Sequence, residues 1–554
     1  MTTMVKKLLL LLLFITVPST VWAQSTLIYN VKGYTINDGK LVQFKALQFN
    51  GDTIERLYQE QPSSSTVAKL NAIDGKGSSL LPGLIDAHGH VLSYGKSLLS
   101  VNLMGSKSEQ EAVKRVRKFV EDNSSQSWIR GRGWNQVLWP SKSYPSASTL
   151  DKYFPDTPVA LGRVDGHAIW LNSKAMALAG ITKATKSPAG GEIIKDKHGM
   201  PTGVLIDNAM DLVYQVIPEL STKELQQVLV TSMNSLASYG LTSVHDAGVS
   251  VANINAYKEL AANNAMPIRV NAMLSVVDPQ WLKELAQGHI ATDDGIFKVD
   301  SVKISSDGAL GSRGAALFSD YSDLHGHTGL MLYSEDELYT LIDAAMKGDF
   351  QVNTHAIGDK ANHVVLNHYQ TAMKKYQSKE RRHRIEHAQV IAIKDIPRFH
   401  QLNVIPSMQA THATSDMNMA EDRLGKARLK GAYAWNTLLK GGNIIANGSD
   451  FPVEHPNPFY GLHAAITRQD KDNQPLNGWI IEESMTPVQA LKSFTIDAAF
   501  AGHQENIIGS LEAGKKADFI LVDKDMFTQP AANIWQNKVL ATWVNGKQVF
   551  KRQH

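Results

Sequence analysis

Between about residue 80 and residue 500, short strand-like apolar runs alternate with longer helix-like segments, and that alternation predicts a parallel α/β fold. The predicted strands end at His90, Asp246, Leu274, Ser305, Ala356, Ala388, Ser407 and Asp450. Eight parallel strands predict a (β/α)8 TIM-type barrel, whose working residues lie at the C-terminal strand ends. The gap between the first two strands, about 150 residues, far exceeds one helix with its loops. A long insertion after the first strand is therefore expected, at about 110–235.

The two ends of the chain have a different texture. From Leu27 to about Ile73, runs rich in Val, Ile, Phe and Leu are separated by turn signals at Asn37-Asp38-Gly39, Asn50-Gly51 and Asp74-Gly75. "GSLEAGKKADFILVD" and "VLATWVNGKQVF" repeat that texture near the C-terminus. Because chain ends often lie close together, the two segments predict one small β-sandwich domain, built from 24–80 and 501–554 around a barrel at 81–500. Residues 1–23 read as a signal peptide: Lys6 and Lys7, an apolar run from Leu8 to Val17, and a small-residue site at Val21-Trp22-Ala23. The apolar run, roughly ten residues, is too short to span a bilayer. Export to the periplasm, with no stable membrane anchor, is expected.

Composition narrows the partners. The 554 residues are 43% hydrophobic and 20% charged, an ordinary globular balance, and the formal charge of +3 leaves no footprint for nucleic acid or acidic lipid. With no cysteine, thiolate metal ligands, disulfides and a lipoprotein anchor are all excluded. A small-molecule substrate is the expected partner, and a homo-oligomer is left open.

"LLPGLIDAHGH" ends in two histidines one residue apart, and side chains at i and i+2 of a strand share a face. Alone, His88 and His90 are equally a pair of core residues or a chelating pair. Taken with Lys303, His355, His387 and Asp450, also at predicted strand ends, they form a divalent-metal site. His325 and His327, in the loop sequence "HGHTG", are expected to be structural or substrate-facing. His383 precedes the sixth strand and Glu386 points away from His387, so neither is expected as a ligand; Asp359 is expected to cap a helix. In the insertion, Trp134, Trp139, His167 and Trp170 offer aromatic surface, and Arg163, Asp165 and Arg313 offer polar handles near the expected pocket mouth, although the tryptophans equally could only pack the insertion against the barrel.

"GLIDAHGH", "VKISSDGALGSRGAAL", "VNTHAIGDKA", "RIEHAQ" and "NGSDFPVEHPNP", in that order, resemble the amidohydrolase superfamily of metal-dependent hydrolases. More narrowly they resemble the branch that includes N-substituted formamide deformylases, over nearly the whole mature chain. The resemblance implies that His88 and His90 hold a first metal, served by Asp450, and that His355 and His387 hold a second. It also implies that Lys303, carbamylated by carbon dioxide, bridges the two. Imidazole and carboxylate donors without thiolates suit zinc best, and also manganese, iron or cobalt. A free ammonium beside two cations is repelled, whereas a carbamate would supply bridging oxygens. Asp450 can take a proton from water and return it to a leaving nitrogen. The reading is an exported metal-dependent hydrolase, with one or two metals per chain, cleaving a non-peptide carbon–nitrogen bond in an N-substituted formamide or related N-acyl amine. A deaminase, cyclic amidase or lactonase could use the same site. A non-catalytic periplasmic metal or solute binder would have no need of Asp450 placed as a base.

Overall fold

The computed structural model describes residues 25–123, 127–164, 166–188 and 190–553. The signal segment at 1–23 and Asp165 lie outside the described residues.

The central sheet runs through eight parallel strands: Leu84–Gly89, Leu241–Val249, Arg269–Ser275, Phe297–Ser305, Gln351–Ala356, Arg384–His387, Ile405–Gln409 and Ala446–Gly448. Its first and last strands meet just past their ends, where Asp450 N–H donates to the His88 carbonyl at 2.7 Å and His90 N–H to the Phe451 carbonyl at 2.9 Å. These bonds place Asp450 beside the histidine pair. The expected barrel is thus the observed one, with the second strand running on to Val249. Leu84, Val244, Val270, Val302, Val352 and Ile385 are fully or nearly fully buried in its core, as strands covered by helices require.

Chain ends build the second body. One sheet is formed by Thr26–Tyr29, Ala46–Asn50, Thr53–Tyr58 and Asn71–Asp74. The other interleaves both termini: Phe519–Val522 pairs antiparallel with Ser79–Pro82, which in turn pairs parallel with Lys32–Asn37. Leu47, Phe49, Leu80, Phe519 and Trp543 fill the space between them. Gly83 alone separates this sheet from the first barrel strand, and a side chain there would collide with Thr242. Arg269, at the start of the third barrel strand, donates from Nε and Nη2 to Asp518 at 2.6 and 3.0 Å and fastens the barrel to this body.

The insertion folds as its own six-stranded mixed sheet between Val101 and Asp207, with helices at Glu109–Asp122 and Ser173–Leu178. Its tryptophans have a different role from the expected one. Trp134, Trp139 and Trp170 are at most 2% exposed and form the sheet's own core with Val116, Leu150 and Leu161. Trp134 Nε1 donates to the Leu161 carbonyl at 2.7 Å and Trp139 Nε1 to the Ser106 carbonyl at 3.0 Å. An isolated sheet of this size needs large apolar side chains to cover it, and it consumes these three.

Candidate metal centre

At the C-terminal mouth of the barrel, five of the six strand-end residues come from different strands or the turns just after them. His88 and Lys303 lie in the first and fourth strands, His355 in the fifth and His387 at the end of the sixth. His90 opens the helix Val91–Leu98, and Asp450 follows the eighth strand by two residues. The imidazoles crowd together, with ring centres 4.8 Å apart for His88 and His387 and 4.5 Å for His355 and His387. Lys303 Nζ lies 3.3 Å from His88 Nε2. Asp450 Oδ1 is 3.0 Å from His90 Nε2 and 3.7 Å from His88 Nε2.

A seventh residue, which the sequence reading left out, joins these six. His412, on the helix Ala410–Asp416 after the seventh strand, places Nε2 3.7 Å from Asp450 Oδ2, with its ring stacked 5.8 Å from that of His387. Two triads result, His88–His90–Asp450 and His387–His412–Asp450, each with its donor atoms within 4.8 Å of one another. Asp450 is common to both. His355 stands next to the second triad rather than in it. The position of His412 three residues past a strand end is the signal that could have found it.

These donors fit a divalent cation. His355 Nε2 and His412 Nε2 are buried and make no hydrogen bond, which is costly unless something else satisfies them. Burial, followed by the Lys303 charge, lowers His88 to about 4 and His355 to about 3, so both are neutral and able to donate a lone pair at neutral pH. Burial also holds His387 well below its ordinary value. Lys303 is lowered to about 8 by burial, although Glu386 and Asp450 oppose the shift.

Behind the donors stands a polar network. His88 Nδ1 is hydrogen-bonded to Glu386 Oε2, and Arg384 donates from Nε and Nη2 to the Glu386 oxygens at 2.8 and 2.9 Å. Nη1 of the same arginine meets His245 Nδ1 at 2.8 Å. His387 Nδ1 bonds Gln409 Oε1 at 2.7 Å. Such partners fix the ring orientation and the nitrogen left free for metal. Strand alternation predicts that Glu386 and His387 serve opposite faces, but His387 adopts φ +73° and Ala388 φ +42°. The left-handed turn swings the His387 ring back toward His88, so neighbours in sequence serve one centre. Asp450 is also left-handed, at φ +59°. Backbone strain of this kind persists where the surroundings enforce it, commonly at functional sites.

A cavity of about 550 Å³ opens over these groups. Its lining includes Ser275, Val277, Leu310, Gly311, Gln389, Asp416 and Glu454, and no described residue of the insertion. Trp134, His167 and Arg313, the expected substrate contacts, lie outside this lining. Trp134 is a core residue, as above. His167 lies on the surface, its Nδ1 2.8 Å from Asp207 Oδ1. Arg313 grips Asp323 at 2.9 and 3.1 Å and stays outside the lining. Arg163 bonds Gln136 within the insertion. His327 Nε2 faces the Arg313 carbonyl at 2.8 Å, and neither it nor the exposed His325 joins a donor triad. His383 is a core residue, held by Val352 N–H and Ser378 Oγ. Asp359 is the first helical residue rather than the cap, which is Gly358, and its carboxylate accepts from Phe318 N–H at 3.0 Å.

Barrel, flanking sandwich and a mouth of converging imidazoles around one carboxylate define a class of metal-binding barrel proteins. The sequence profile of the amidohydrolase family matches residues 71–550, and this chain belongs to that family. It is 34% identical to the protein LONG AFTER FAR-RED 3 of Arabidopsis thaliana over 86% of this chain and 83% of that one. It is 25% identical to the N-substituted formamide deformylase of Arthrobacter pascens, covering 87% and 90% of the two chains. Among solved structures, an uncharacterized metal-dependent hydrolase from Pyrococcus furiosus matches with a TM-score of 0.75 and 27% identity, covering 90% of this chain and 99% of that one.

Proposed function

We propose that this protein hydrolyses a non-peptide carbon–nitrogen bond, with N-substituted formamides or related N-acyl amines as substrates and zinc as the metal. The observation that carries this reading is Asp450: a buried carboxylate at the floor of a cavity, with His90 and His88 against Oδ1 and His412 against Oδ2. Its ordinary acid pKa is held well down despite burial, by His90, His88 and other nearby histidines, so it meets a substrate as the base. His88, His90, His387, His412 and Asp450 would hold the ions, with His355 and, on the fourth strand, Lys303 alongside. When bound, the metal supplies Lewis-acid activation of water and of the carbonyl under attack.

Asp450 takes the proton of the attacking water as oxygen adds to the carbonyl carbon. The same carboxyl group then delivers it to the departing nitrogen, so that the bond breaks to give an amine and not an amide anion. Burial of Lys303 raises the share of free amine that can combine with carbon dioxide, which supports a carbamate whose oxygens would be available to the ions; intact mass or density would show the added carboxyl group. Relatedness to the deformylase supports the formamide class. The sequence at 1–23 supports export and a mature chain beginning at Gln24. Turnover of N-acyl amines, lactams and lactones by the zinc-loaded protein tests the reading. Amine release from a formamide is the expected result, and hydrolysis of lactones alone would overturn it.

A further inference from the structure

Beyond the metal donors, the cavity lining has a lopsided charge. Asp416 and Glu454 supply carboxylates, while Lys303, committed to the floor, is the lone lysine and no arginine is present among the described lining residues. Asp416 is also held in place. Its Oδ2 accepts from Gln389 Nε2 at 2.8 Å and from Tyr433 O–H at 2.7 Å, and these two partners are 4% and 1% exposed. Among the described residues, none hydrogen-bonds Oδ1. A carboxylate with one oxygen clamped by buried donors and the other left over is a preorganised acceptor.

We propose that Asp416 determines specificity by receiving a cationic nitrogen of the substrate, so that the preferred substrates are N-acylated diamines and not N-acyl amino acids. The assignment rests on the hydrolytic reading for its acyl group and on the pocket for its cation. His412 and Asp416 lie one turn apart on the helix Ala410–Asp416, about 6 Å along its axis. His412 marks the metal end, so a cation held at Asp416 lies roughly one helical turn from it, the span of a short alkyl chain. The strongly exposed Val277 and Val453 on the cavity wall suit the alkyl spacer between them. A substrate carboxylate at the same place would face Asp416 and Glu454 with no cation to receive it.

The test compares three small formamides with the zinc-loaded full chain: N-(3-aminopropyl)formamide, its neutral isostere N-butylformamide, and anionic N-formyl-β-alanine. Binding is measured by calorimetry and turnover by amine release. In the wild type the cationic compound should bind at least about tenfold more tightly than the isostere, the scale of one charge-assisted hydrogen bond, and the anion most weakly. In Asp416→Asn the cation-to-neutral ratio should fall to near one; in Tyr433→Phe, which keeps the carboxylate but loosens it, the ratio should fall part of the way. Thermal melts and zinc content show that each variant is folded and loaded. Cation-selective binding lost in Asp416→Asn, without hydrolysis of any compound, upholds Asp416 and overturns the hydrolytic reading. Hydrolysis with no cation preference, a preference that survives Asp416→Asn or vanishes only in Glu454→Gln, or no binding of any of the three, overturns the assignment to Asp416.

Discussion

His412 Nε2 is buried, faces Asp450 and is bonded to nothing in the protein, which is the signature of a donor awaiting a partner. Its replacement by alanine should lower metal content by up to one ion per chain, measured by plasma mass spectrometry, with the fold kept. Full metal content in that variant would return the second ion to His355 and His387. The pair His88 and His90 gives the complementary test. Removing both should strip metal, whereas removing His325 and His327, which lie outside both triads, should leave the content near wild type. Loss of metal from the second variant alone would move the site to the loop.

Strands set the first layer of the centre, but the layer behind it depends on one turn. The left-handed backbone at His387 lets the segment Arg384–His387 supply both a ring near the metal donors and the Glu386 carboxylate that orients His88. Glu386→Gln keeps the shape and removes the charge, and should weaken metal affinity about 10–100-fold, read by competition with a chelator; unchanged affinity would make Glu386 a packing residue. This layer also marks how far the sequence was legible. Six of the seven residues around the centre stood at predicted strand ends, because a parallel barrel gathers those ends at one mouth. His412 was missed because it lies past its strand on a short helix, where periodicity carries no sign of direction. Glu386 was set aside by strict two-residue alternation, which holds only while the backbone stays extended. The tryptophans of the insertion misled because composition shows aromatic area without showing which surface covers it.

At the scale of the whole molecule, three bodies divide the work: the barrel holds the centre, the insertion covers itself, and the sandwich knits both termini to the barrel. Arg269 and Asp518 are buried together at that junction. Arg269→Ala strands the carboxylate and should cost about 3–5 kcal/mol, measured by denaturant unfolding; a loss under 1 kcal/mol would show that the junction does not rely on this pair. The proposed hydrolysis, with Asp450 as proton carrier, would belong to the assembled and metal-loaded protein. The measurement that tests it most directly is kcat for wild type and Asp450→Asn at matched metal loading, on N-butylformamide and on a formanilide with a better leaving amine. Asparagine retains an oxygen near the metal donors but carries no proton at neutral pH. Metal content should stay near wild type while kcat falls ~10²–10⁴-fold on the alkyl amide, with a smaller loss on the formanilide. Near-normal kcat in the metal-loaded variant would contradict the account and pass the proton to a histidine.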